Sequence, residues 1–208
     1  MGMVAIWMGS PWAGGIAVFV VAAMEFSFAA ALMRAAAHRL GGRKIARGAA
    51  ISALMVTVAT GLLYALLAAV LDEWRRPAGG AILLLLGLYL AMRFGTSRLA
   101  ADGGGWDYDG IMPTPRKDRQ RGGFALGRSA VGIESIKAAV AWIGVALADD
   151  PVVASVALGL AVVTAAIAAM RSHALTVLPP SLLYGIALMV VIAHGLAATT
   201  KVLASALA

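Results

Sequence analysis

The 208-residue chain has no cysteine, little charge and almost no acid inside its long apolar runs. The missing cysteine excludes a disulfide framework, a thiolate metal site and a redox pair. Charged residues make up 13% of the chain, about half the ~25% typical of a water-soluble domain. There is no nucleophile–base pair, no histidine cluster and no loop built to cradle phosphate. Gly103-Gly104-Gly105 is the nearest thing to such a loop, but no strand pattern precedes it and no helix start follows, so it reads as a hinge. An enzyme is therefore not expected. Asp102, Asp107 and Asp109 on the same Gly-rich stretch read as solvated charges.

What the chain does have is apolar length. Hydrophobic residues are 62% of it. Six spans of about 20–24 residues would use roughly 130–140 residues, leaving short loops and no second soluble domain. The expectation is an all-α polytopic membrane protein with spans near 12–37, 48–71, 79–99, 123–147, 152–170 and 181–206. The N-terminal apolar run has no basic region before it and extends past Ala31, so it reads as a retained first span and not a signal peptide. Residues 100–121 break the pattern with four Gly, two Pro and many charges, and read as a linker between halves 1–99 and 122–208.

The net charge of +7 would suggest nucleic acid in a soluble protein, but here the basic residues flank apolar runs and report orientation. Arg39, Arg43, Lys44, Arg47, Arg98, Arg116, Lys117, Arg119, Arg121 and Arg171 fall on one side. Arg75, Arg76 and Lys201 fall on the other, ten against three. This places the linker in the cytoplasm and both termini outside. Runs such as Ala29-Ala30-Ala31, Ala35-Ala36-Ala37 and Ala165-Ala166 suit helices that pack closely through small faces.

Charges within spans cost at least ~2.5 kcal/mol near the bilayer centre, so the few present are informative. Glu25 lies in span 1, Glu134 and Lys137 in span 4, and His194 in span 6. His194 reads as a helix–helix hydrogen-bonding group. Arg34, Arg93 and Arg128 lie nearer the cytoplasmic ends, where they can snorkel. The two acidic spans are alike: Met24-Glu25-Phe26-Ser27-Phe28-Ala29-Ala30-Ala31 against Ile133-Glu134-Ser135-Ile136-Lys137-Ala138-Ala139-Val140. Superposing the glutamates superposes the alanine pairs, and each glutamate has a serine within two residues. Three spans per half gives the halves opposite orientation, the 3+3 inverted repeat of many secondary transporters, with a site at the midplane.

A glutamate in span 1 and another in span 4 of a 3+3 protein resembles the oxidase-dependent iron permease family and the small bacterial membrane proteins related to it. That family carries R-E-x-x-E in each of these spans, two acids one turn apart as hard-cation ligands should be. Here the first Glu is kept twice, as Glu25 and Glu134. Met24 and Ile133 stand for the Arg, and Phe28 and Lys137 stand for the second Glu. The resemblance implies the fold, a bacterial cytoplasmic (inner) membrane location, and iron or another divalent cation as cargo at Glu25 and Glu134.

Two functional readings stay open. In the first, a permease moves a metal ion or is coupled to protons, with Ser27 and Ser135 as auxiliary ligands and Lys137 as an internal counter-charge. In the second, the chain is a non-transporting accessory subunit that keeps a degenerate permease fold and packs on partner membrane subunits or on its own copies. The Met- and Trp-rich N-terminus (Met1, Met3, Trp7, Met8, Trp12) would then dock the partner. Glutamates converging on a polar cavity would favour the first reading; dry, sealed ion pairs would favour the second.

Overall fold

The computed structural model describes residues 10–101, 115–170 and 180–207, and within these every element is helical. In chain order they are α1 (Pro11–Leu40), α2 (Gly42–Leu71), a 3-10 turn (Asp72–Trp74), α3 (Arg75–Ala101), α4 (Pro115–Ala148), α5 (Pro151–Met170) and α6 (Pro180–Leu207). Most of the 100–121 linker lies outside the described residues. Its last part, from Pro115, is helical and leads into α4.

Local chemistry sets the helix ends. Ser10 holds an extended backbone before Pro11, whose fixed φ suits the first helical position. α1 stops at Gly41, whose φ of 82° lies in the left-handed region and whose N–H donates to Ala37 O at 3.1 Å. α4 is two helices joined at Gly122, where φ is 65°. The segment ahead of that kink is charged and the segment behind it is apolar. Asp150 caps α5 by accepting the Val152 N–H at 2.7 Å, with Pro151 at the helix start.

Three stretches are long and apolar enough to cross a membrane: Trp12–Ala30, Gly42–Met92 and Gly122–Ala148. The second, 51 residues long, is divided by the Asp72–Trp74 turn. Pro151–Ile167 and Gly185–Thr200 are shorter apolar helices. The outer faces are apolar too. On α2, Leu54 (65% exposed), Val58, Leu62 (68%), Leu66 and Val70 (72%) recur every three or four residues, and Val152, Val156, Leu160 and Val163 do the same on α5. An apolar belt of this extent is not met on soluble monomers and is consistent with a membrane protein.

The interior is narrow because it is built from small side chains. α1 buries Ala17, Val18, Val21, Ala22, Glu25 and Ala29, a stripe at helical spacing, and α4 buries Ala138, Ala141, Val145 and Ala148 against it. The most extensive pairs are α2 with α4, α3 with α6, and α1 with both α5 and α4. The α2–α4 crossing is closest at Gly48 and Gly127. A Cβ on Gly48 would fall on the Phe124 carbonyl, and one on Gly127 on the Ile45 carbonyl.

Candidate functional site

The α1–α4 crossing determines the site. Ala22 on α1 and Ala138 on α4 are buried together with Ala161 of α5. Their small side chains let the helix axes approach within reach of a lysine. Glu25 lies one turn beyond Ala22, and Lys137 adjoins Ala138. Glu134 is one turn from Lys137 on the same face of α4, while Ile133 and Ile136 point outward. The two glutamates therefore meet in space.

They meet on a single cation. Lys137 Nζ donates to Glu25 Oε2 at 2.5 Å and to Glu134 Oε2 at 2.8 Å. Glu25 is completely buried and Lys137 nearly so. Glu25 Oε1 is buried without a hydrogen-bond partner. With all three groups ionised, the node carries one more negative than positive charge in surroundings where such an imbalance is costly. One added proton would neutralise it. The tethered ammonium occupies the position where an external cation would sit between the carboxylates. Among the described residues, no group of three or more His, Asp or Glu could hold a metal ion. The set available here is two carboxylates, and a metal ion bound as substrate would have to displace Lys137 from both.

The expected auxiliary ligands lie apart from this node. Ser135 is buried and lines a neighbouring groove, Ser27 is half-buried, and neither joins the ion network. The groove, about 680 Å³, runs between α1, α2, α4 and α5, and its walls are chiefly Ala, Val, Leu and Phe side chains. The glutamates thus converge, as a permease requires, but on an ion network with its own ammonium and not on a polar cavity.

His194 has a partner that the sequence did not reveal. Its Nε2 lies 2.6 Å from Asp149 Oδ2, both residues being buried. The ring N–H is out of line with that oxygen, so the contact is a close electrostatic one and not a well-aligned hydrogen bond; Nδ1 is buried without a partner. Arg76 of α3 approaches Asp149 Oδ1 at 3.9 Å and donates to Ala148 O at 3.1 Å, neutralising the C-terminus of α4. Gly14 of α1 makes room for the cluster, since a Cβ there would lie 2.9 Å from both Asp149 Oδ2 and His194 Nε2. In sequence, Asp149 is a span-end acid and Arg76 a loop base. The only available signal was that an intramembrane His194 needs a polar partner, which says nothing about where in the chain that partner lies. Comparison of the chain with family models, with curated proteins and with solved structures finds no match.

Proposed function

We propose that the chain is a six-span permease of the bacterial cytoplasmic membrane, built as two inverted three-helix repeats, that moves a cation through the Glu25–Lys137–Glu134 node. The carrying observation is the buried ammonium shared by one glutamate from each half. Six spans are supported by the division of the longest apolar stretch at Asp72–Trp74 and by the length of α5, whose 20 residues extend about 30 Å, one hydrocarbon thickness. The repeat is supported by helix neighbours. Exchanging α1 with α4, α2 with α5 and α3 with α6 turns the α2–α4 pair into α5–α1 and the α3–α4 pair into α6–α1, all of them observed pairs. The shift that superposes Glu25 on Glu134 also superposes Gly14 on Gly123 and Leu40 on Asp149. Gly14 approaches Asp149, and Gly123 approaches the Leu40 carbonyl.

In this reading Lys137 holds the empty site closed. Substrate arrives either as a proton on a carboxylate or as a metal ion that expels the ammonium. Either change alters which groups Lys137 can pair with, and so whether α1 and α4 stay clamped. The second reading, a non-transporting accessory subunit, is favoured by the burial of Glu25 and Lys137 and the apolar lining of the groove beside them.

Reconstitution in liposomes tests both. Proton flux and uptake of ferrous and other divalent ions would be followed for wild type, Glu25→Gln and Glu134→Gln. The permease reading expects flux of one of these cations that falls at least about tenfold in both variants, as for loss of a group on the path. Folded, reconstituted wild-type protein that moves none of them would leave the accessory reading, to be followed by isolating the complex from native membranes.

A further inference from the structure

The groove beside the ion node has no role in the proposed pathway, and its chemistry is different. Its walls come from four helices and include Phe26 and Met33 of α1, Ala53 of α2, Trp142 of α4, and Leu158 and Val162 of α5. No charged side chain lines it. Its polar groups are a few Ser and Thr hydroxyls, of which Ser155 is already engaged, accepting from Trp142 Nε1 at 3.1 Å and donating to Pro151 O at 2.7 Å. An ion or sugar would find no partner there, whereas a hydrocarbon chain would. α2 is buried at Ile45, Gly48 and Ser52, meets α4 again at Tyr64, whose ring packs edge-on to Trp142 at 5.2 Å, and lines the groove from Ala49 to Gly61.

One end of the groove is basic. A smaller depression shares Met33 and Ala49 with it and is lined by Arg34. Arg43, Lys44 and Arg47 are exposed on the first turns of α2, the same turns that supply Gly42, Ile45 and Ala46 to that depression. Along α2, the groove from Ala49 to Gly61 measures about 18 Å at 1.5 Å per residue. One leaflet of hydrocarbon is about 15 Å deep, half of the ~30 Å core.

We propose that this groove binds one anionic phospholipid, with an acyl chain lying between α2 and α5 and the phosphate held at the basic turn joining α1 to α2. An apolar slot of one leaflet's depth, open to the lipid side and ending near the exposed basic first turns of α2, matches an amphiphile with an anionic head and an acyl tail. Basic pockets between spans commonly recognise such headgroups. The inference rests on the bilayer reading above but not on transport.

The test has two parts. Alkaline carbonate extraction of native membranes first establishes whether the chain is integral. Native mass spectrometry of delipidated protein then compares phosphatidylglycerol with phosphatidylcholine of the same acyl composition. Wild type should prefer phosphatidylglycerol by about tenfold or more, in keeping with several cationic contacts. Arg43→Gln/Lys44→Gln/Arg47→Gln should bring the ratio near one while keeping lipid bound. Ala53→Trp, at an exposed position facing the groove, should reduce retention of both lipids, and Ala166→Leu from the opposite wall checks that result if the first variant is not monodisperse. Equal retention of the two lipids by wild type would overturn the proposal, as would retention unchanged by both groove-filling variants, or a groove covered by a second copy of the chain in a lipid-free dimer. Full extraction by carbonate would instead remove the bilayer reading on which it rests.

Discussion

Lys137 is the residue on which the interior charge depends. Its ammonium is the only cation in hydrogen-bond contact with Glu25 among the described residues, and it also serves Glu134. Replacing it with methionine would leave the fully buried Glu25 carboxylate without its counter-charge. Removing one partner from a buried ionic network costs about 3–5 kcal/mol. Lys137→Met is therefore expected to lower the thermal unfolding midpoint in detergent sharply. Glu25→Gln keeps the shape and a hydrogen-bond acceptor, and Lys137 retains Glu134, so its cost should be nearer ~1–3 kcal/mol. The double variant Glu25→Gln/Lys137→Met should be more stable than Lys137→Met alone; equal or greater loss in the double variant would contradict the shared-ammonium geometry. The Asp149–His194 cluster is expected to behave similarly on a smaller scale. Asp149→Ala would strand His194 against α1, while Arg76 would keep its bond to Ala148 O.

At the level of elements, glycine spacing decides which helices touch. Gly48 and Gly127 lie where α2 and α4 backbones meet, so a methyl group at either must separate the helices. Overpacking of this kind typically costs 1–3 kcal/mol, and the contact is with backbone, which cannot turn aside. Gly48→Ala and Gly127→Ala are expected to fall at or above the top of that range. Gly61 lines the groove, and a methyl group added there would meet nothing within 4 Å. Gly61→Ala should be neutral or stabilising by up to ~1 kcal/mol through helix propensity alone. Thermal unfolding of the three variants side by side distinguishes them, and a destabilised Gly61→Ala would mean that α2 packs more tightly than the open space around Gly61 allows.

For the molecule as a whole, the basic residues assign sides. If the bilayer reading holds, the α1–α2 turn and the Asp72–Trp74 turn face opposite compartments. The natural absence of cysteine makes this directly testable. In intact cells, a membrane-impermeant thiol reagent should label Glu73→Cys and should label Arg43→Cys only after lysis. Labelling of both in intact cells would reverse or abolish the assigned topology. The same orientation would put the α1–α2 end of the groove at the cytoplasmic leaflet, where anionic headgroups and positive loops favour each other.

The helices themselves were legible in the sequence. Apolar runs broken by Gly, Pro and charge placed five of the six helices within about six residues of where they fold, because in such runs backbone hydrogen bonding leaves the helix as the available structure. α4 begins eight residues earlier, at Pro115, since the charged segment ahead of Gly122 also winds into a helix. The two glutamates and the lysine could be singled out because intramembrane charge is costly wherever it occurs. What the sequence could not supply was partnership. Lys137 is one turn from Glu134, so a local ion pair was readable, but its bond to Glu25 spans 112 positions and exists only because Ala22 and Ala138 let two helices close on each other. Likewise His194 finds Asp149 through packing at Gly14, and the groove is lined by residues of four helices that only packing brings together. One-dimensional periodicity gives each helix its faces; which faces meet, and whether buried charges are sealed or open, is fixed by side-chain volumes at crossings far apart in the chain.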